Sequence, residues 1–454
     1  MSTKAVLNNH AWPLQEIFNV YNKASFERKV NEILASAAEF KTIDLTTATE
    51  SDQLQWLAEF ARLDIAFDTL ESALKLANVQ HEIWIDETKS GSVMAELEKV
   101  LASSTECFIT WMEQCSASAG WPTWAVQLKL EFVSDDNSLA GSFCGKKYSP
   151  RHFIDQLKQI IKPSGDGCIP INLQKRCTKM GWNSGDQIAR LLLSDKAANY
   201  HPYFSRYIIN NKSDITDVRL AESKPWGDFK FNFDEAIGII IACFKQLDSD
   251  LSTMIDQAIV QGRIKVSHSS LSNSFCMDTP VGSFISLQFN GGLSDLALLA
   301  HECGHLIHQQ VIRNKFQLAQ NVNEELSETI AIFFESWVVK YWGELTGNEI
   351  VATAWEHHRD IEWQGRHSML ANFELSLYQQ EKFSVKELDR LWREVNHRFY
   401  GSSVTLNQNF SQQWLTLTHI LHSPFYYLIY PSASLKAKRY MKEPMDVLSM
   451  LERF

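Results

Sequence analysis

Leu296-Ala297-Leu298-Leu299-Ala300-His301-Glu302-Cys303-Gly304-His305-Leu306-Ile307-His308 is the stretch on which the reading of this chain turns. It reads as an amphipathic helix carrying His-Glu-x-x-His, with Ser294 or Asp295 placed to cap its N-terminus. Four residues make roughly one helical turn, so His301 and His305 project from one face and can share an ion. Imidazoles at this spacing suit Zn²⁺, and Glu302, the next residue, reaches a water in the open coordination position. Cys303, two positions from His301, is aimed away from the metal and reads as packing.

A catalytic zinc needs one more protein ligand, and a carboxylate would complete a His₂Glu set with the fourth position open. The candidates lie downstream, in residues 321–337. Leu326, Ile330, Phe333, Phe334 and Trp337 fall there at helical spacing, while Glu324, Glu328 and Glu335 share another stripe. Glu324 is 19 positions after His305 and Glu328 is 23 after it, and spacing leaves both open. The glutamates not bound to metal are candidates to orient an imidazole, because ligating histidines donate their other N–H outward. Glu335 and Glu325 are the first of these.

Four separated motifs in one order give a more specific signal. Phe284-Ile285-Ser286-Leu287-Gln288-Phe289-Asn290-Gly291-Gly292 runs into the HECGH helix, and Glu328 and Glu335 follow with six residues between them. Arg366-His367-Ser368-Met369-Leu370-Ala371-Asn372-Phe373-Glu374 and Phe399-Tyr400-Gly401 come next, then His419-Ile420-Leu421-His422-Ser423-Pro424-Phe425-Tyr426-Tyr427-Leu428-Ile429-Tyr430. From about residue 231 onward this pattern resembles the oligoendopeptidase F and thimet oligopeptidase family of zinc peptidases. The resemblance implies a mostly α fold of the zincin type: a helical bowl around a deep channel, with a small β-sheet beside the HExxH helix. It also implies one Zn²⁺ bound by His301, His305 and Glu328, with Glu302 as general base. His419, Tyr426 and Tyr430 become candidates to stabilise the oxyanion. At steps of seven and four they would share a helical face, unless Pro424 kinks it. Leu428 stands where relatives often carry a tyrosine, and Ser272-Asn273-Ser274-Phe275-Cys276 replaces a Gly-Lys pair. The strand at 284–289 is expected to hold an extended peptide by main-chain hydrogen bonds.

Composition narrows the partners. The 454 residues are 45% hydrophobic and 21% charged, an ordinary globular balance. A formal charge of -11 disfavours nucleic acid and anionic membrane. The eight cysteines include no C-x-x-C pair, which points to reduced thiols and a cytoplasmic setting. No signal peptide is expected, and the apolar run at 236–244 is too short to span a bilayer and reads as a core helix.

In order, the chain reads as helices at 12–39, 51–79 and 92–112, an undecided helix or strand at 126–132, and loops at 133–147 and 162–170. Pro150 opens a helix running to 161, and 210–230 is the linker candidate. Two regions follow: a helical wall at 1–210 and a catalytic region at 211–454, or one continuous body. Strands are expected at 264–267 and 284–289. Other histidines, His367 and His308 among them, read as structural, and Lys436, Lys438, Arg439 and Lys442 as a solvated face.

The expected activity is cleavage of internal bonds in short peptides. The alternatives are an exopeptidase on a related scaffold or an inactive peptide-binding protein. The chain is shorter than typical relatives, so a wider opening or assembly into a homo-oligomer would follow.

Overall fold

The computed structural model describes residues 23–39, 150–161, 170–180, 229–267, 274–315, 323–380, 383–400, 409–417 and 419–451, with Phe18, Trp182 and scattered helical positions between 62 and 76. The readings at 92–112, at 126–147 and at the 210/211 boundary lie outside these residues.

The described chain is mostly helical with one small sheet, as expected. Helices α1 (Lys23–Glu39), α2 (Pro150–Ile160) and α3 (Ile171–Lys179) come first. Pro150 is the first residue of α2, where its missing N–H costs nothing. The apolar run expected to be buried is α4 (Phe233–Leu247), whose Ala236, Ile237, Ile240, Cys243, Phe244 and Leu247 face the core. A reciprocal pair starts it: Asn232 accepts from the Glu235 N–H, and Glu235 accepts from the Asn232 N–H, each at 2.9 Å. Asp248 then caps α5 (Ser249–Val260).

The sheet contains β1 (Ile264–Ser267), β2 (Phe275–Met277) and β3 (Phe284–Gln288) in the order β1-β3-β2. β1 runs parallel to β3, with Ile264 opposite Ile285, and β2 runs antiparallel, with Cys276 opposite Ile285. This arrangement corrects one expectation. β3, the strand leading into the metal-motif helix, is central and paired on both sides, so its backbone has no free edge for a peptide. The edges belong to β1 and to β2, which at three residues is too short for a period-2 signal.

A tight turn links β3 to α6 (Leu293–Lys315). Gly291 has φ +83°, and a side chain there would collide with the Phe231 carbonyl. The Phe231 N–H in turn donates to the Gly291 carbonyl at 2.8 Å. α6 begins earlier than predicted, so Ser294 and Asp295 lie inside its first turn. Asp295 still caps by reaching back, its carboxylate accepting from Asn290 N–H (3.0 Å) and Gly292 N–H (2.9 Å).

α7 (Glu324–Thr346), begun by Asn323 accepting from Leu326 N–H, packs along α6. α8 (Glu349–Asp360) continues through one π-helical segment (Ile361–Arg366) into α9 (His367–Tyr378). α10 (Val385–Tyr400) follows, then a 3₁₀ segment (Asn409–Thr416), α11 (His419–His422), a 3₁₀ turn (Tyr426–Leu428), α12 (Ile429–Tyr440) and α13 (Asp446–Leu451). The helices of 150–182 share the core of the later ones. Phe153 meets Trp414 edge-on at 5.2 Å, and Asn172 donates to the Tyr378 hydroxyl at 2.8 Å. Among the described residues no helix is long and apolar enough to cross a membrane.

Candidate active site

Two helices build the centre. On α6, His301 and His305 lie one turn apart with ring centroids 4.9 Å from each other. On α7, Glu328 meets them: its Oε2 is 3.4 Å from His301 Nε2 and its Oε1 is 3.7 Å from His305 Nε2. One ligand atom from each of the three residues falls within 4.8 Å of the others. Two ligand atoms about 2.05 Å from one tetrahedral ion lie about 3.3 Å apart, so these separations fit a shared cation. Glu328 Oε2 is buried without a hydrogen bond, an acceptor aimed at the space between the imidazoles. The donor set, two neutral-capable imidazoles and one carboxylate, fits Zn²⁺.

The outer nitrogens are held. His301 Nδ1 is 3.0 Å from Glu335 Oε2, and His305 Nδ1 is 2.9 Å from Ser327 Oγ. Glu335 also accepts from Arg359 Nε at 2.5 Å, and Arg359 pairs with Glu362. Both Nε2 atoms are therefore presented toward Glu328. The second glutamate proposed for this orienting role, Glu325, is elsewhere. It accepts from Trp182 Nε1 at 3.0 Å, from the Ser432 hydroxyl, and from Lys436 at 2.8 Å. Glu324 is likewise turned away, paired with Arg176 at the start of α7. Lys436 and Lys438 are not merely a solvated face, since Lys438 pairs with Asp360.

The helices can bring these side chains together because residue 304 is glycine. A Cβ there would lie 2.9 Å from Ala331 Cα and 3.2 Å from a Phe334 ring carbon. Cys303, beside it, is fully buried, in keeping with a packing role.

Burial and charge set the protonation states. Burial opposes a charge on His301, yet the nearby Glu328 and Glu335 carboxylates outweigh it and raise the imidazole to about 10. Burial pushes His305 down to about 4. Burial would raise Glu328 too, but His305, His301 and the Tyr426 hydroxyl bring it down to about 2. Glu302 is raised to about 7, first by burial, against the lowering effects of His301 and the Cys276 backbone.

His419, Tyr426 and Tyr430 do converge, although not along one helical face. The chain breaks after α11, and Phe425 takes a left-handed conformation at φ +60° before the tyrosine turn. The His419 and Tyr426 rings stack at 5.2 Å, and the Tyr426 and Tyr430 rings meet edge-on at 5.6 Å. The Tyr426 hydroxyl donates to Glu328 Oε1 at 2.6 Å. Tyr430 stacks on Trp363 at 4.9 Å, and Trp363 also lies parallel to His301 at 6.3 Å. His367, read from sequence as ordinary, packs against Tyr430 at 4.6 Å and so lines the same wall. Sequence reasoning missed Ser327, Arg359 and Trp363. Ser327 had a signal, adjacency to Glu328, but the other two act across separate helices and had none.

The fold is mostly helical, and its constellation of two imidazoles and one carboxylate is one that could hold a metal ion. Residues 282–444 match the model of Peptidase family M3, a stretch holding the two histidines, Glu302, Glu328 and the tyrosine turn. The resemblance to oligoendopeptidase F also holds against a curated protein. Oligoendopeptidase F, chromosomal, of Lactococcus lactis subsp. cremoris is 25% identical over 247 residues, 50% of this chain and 40% of that relative's length. Among solved structures, PZ peptidase A with inhibitor 2 superposes with TM-score 0.65 at 13% identity, covering 93% of this chain and 90% of that one. A crystal structure from Chlamydophila abortus gives 0.58 at 12% identity, covering 100% and 92%. Another from Bacillus anthracis str. Ames gives 0.54 at 14%, covering 94% and 87%. At these identities the likeness is one of fold.

Proposed function

We propose that this chain is a zinc metallopeptidase that hydrolyses internal bonds of short oligopeptides. The observation that carries the proposal is the meeting of His301 Nε2, His305 Nε2 and the Glu328 carboxylate, with each outer imidazole nitrogen already engaged. Zinc held by these three residues would supply Lewis acidity, making water acidic enough to ionise near neutral pH and polarising a peptide carbonyl.

The protein's own groups do the rest. The Glu302 carboxylate takes the proton of the attacking water and hands it to the leaving nitrogen. The Tyr430 hydroxyl, its pKa pushed up by burial, stays protonated and available as a donor to the developing oxyanion, while the Tyr426 hydroxyl, likewise kept protonated by burial, holds the Glu328 carboxylate in place. One such donor is worth ~2.7–4 kcal/mol when aimed at that charge. His419, stacked on Tyr426, steadies the ring. Substrates are short peptides in extended form, and the short edge strand β2, whose Cys276 backbone contacts Glu302, lies beside the scissile position.

Metal analysis joined to mass-spectrometric mapping of cleaved peptides tests this reading. Glu302→Gln should keep one zinc per chain and lose ~10²–10⁴-fold in kcat, by the size of acid–base effects. Glu328→Ala should strip the zinc, and Glu324→Ala should leave it. Unchanged activity in E302Q sinks the mechanism, and zinc lost from E324A instead of E328A moves the ligand. Products trimmed only from one end would make the enzyme an exopeptidase.

A further inference from the structure

One guanidinium from the first half of the chain reaches the tyrosine turn. Arg176, on α3 and 5% exposed, donates from Nε to the Pro424 carbonyl at 2.9 Å and from Nη2 to Ser423 Oγ at 2.7 Å. Its Nη1 pairs with Glu324, the first residue of α7 and one helical turn before Glu328. The same guanidinium lies 5.4 Å from the centre of the Tyr426 ring. From the opposite side, α9 supplies the buried Glu374, whose Oε1 accepts the Phe425 N–H at 2.6 Å.

Residue 425 is left-handed, a strained conformation for a bulky side chain that persists only where its surroundings over-determine it. These bonds impose it: 423 and 424 are held by Arg176 and 425 by Glu374. The next residue, Tyr426, is thereby placed with its hydroxyl on Glu328. The fork geometry matters, since three donors in one plane reach three different acceptors, which a lysine ammonium cannot reproduce.

We infer that Arg176 is a positioning residue for the hydrolytic centre, latching the 423–425 turn to the start of α7 so that Tyr426 meets Glu328. The inference rests on the peptidase reading for its kinetic consequence but not for its structural one, and the test keeps the two apart. Arg176→Lys is compared with wild type in the metal-loaded full chain, alone and combined with Tyr426→Phe. Hydrogen exchange at residues 423–428 is followed alongside kcat and KM on an internally quenched oligopeptide.

R176K should keep its zinc and speed exchange at the turn at least tenfold while α7 stays protected. It should also lower kcat about tenfold with KM within twofold. In the Y426F background the same change should alter kcat less than twofold, because the arginine acts through the tyrosine. Unchanged exchange, or an equal kcat loss with and without the tyrosine hydroxyl, overturns the inference. If the metal-loaded wild type cuts no peptide, the peptidase reading fails and exchange alone decides the latch. Should R176K not fold, Ser423→Ala, which removes one of the three bonds, should show about threefold effects of the same kind, and none would overturn it.

Discussion

Glu374 shows how one residue can hold a backbone in place at a cost that depends on pH. It is fully buried, its Oε2 has no hydrogen bond, and burial raises it to about 8 although the Phe425 N–H and Arg176 pull the other way. Below about pH 4.5 the carboxyl is protonated whether the chain is folded or not, and its contribution is complete. As pH rises toward 8 the unfolded chain releases a proton that the folded chain retains, so stability falls across that window and the loss is complete above it. Every pH unit that separates the folded from the unfolded ionisation corresponds to about 1.4 kcal/mol. Glu374→Gln keeps an acceptor for Phe425 and has no proton to lose. Denaturant unfolding at pH 4.5 and pH 8 should show the wild type losing roughly 3–4 kcal/mol more than the variant between the two. Parallel behaviour of the two proteins would mean that Glu374 is not protonated in the fold. At this scale the site was partly legible. His301, Glu302 and His305 are marked by a four-residue spacing, and Glu335 by its interval from Glu328. Arg176, Arg359 and Trp363 were not, because their partners lie in other helices and no local pattern encodes such meetings.

At the scale of elements, the α6–α7 pair does the assembling. Its closeness depends on Gly304, where an added methyl would press on the backbone of Ala331 and the ring of Phe334. Gly304→Ala forces the helices apart by several tenths of an ångström, and overpacking of this kind costs about 1–3 kcal/mol. The midpoint of thermal unfolding should drop by several degrees, and a chelator competition should find zinc held at least tenfold more weakly. Unchanged zinc affinity would show that the helices yield without opening the ligand set. The same scale explains which elements could be read in advance. The long helices carry clear apolar periodicity, and β1 and β3 are β-branched or alternating runs. β2 has three residues and no pattern of its own, and only its pairing with β3 makes it a strand. The convergence of His419, Tyr426 and Tyr430 was expected along one helical face unless Pro424 interrupted it, and the structure shows the interruption. Two short helical turns joined through left-handed Phe425 bring the rings together.

For the whole molecule, the predicted class, mostly helical with a small sheet against the metal-motif helix, is what the described residues form. The division at residue 210 lies outside the described residues. Helices α2 and α3 pack into the same core as the later ones. If the proposed function holds, a site with His301 7% exposed, Glu302 5% and Glu328 2% would favour extended, unfolded substrates that can thread to it. A mixed library of short peptides offered beside a native globular protein should be cut while the native protein survives. Rapid cutting of the native protein would contradict a recessed centre.

All three prospective donors come from one helix pair, Leu293–Lys315 and Glu324–Thr346, a run of barely more than fifty residues. The three prospective metal ligands are thus encoded as a compact cassette, whereas Tyr426 and the Arg176 and Glu374 that hold its turn come from other elements. If the proposed function holds, changes to the surrounding helices would alter which molecules reach the site without touching those three ligands.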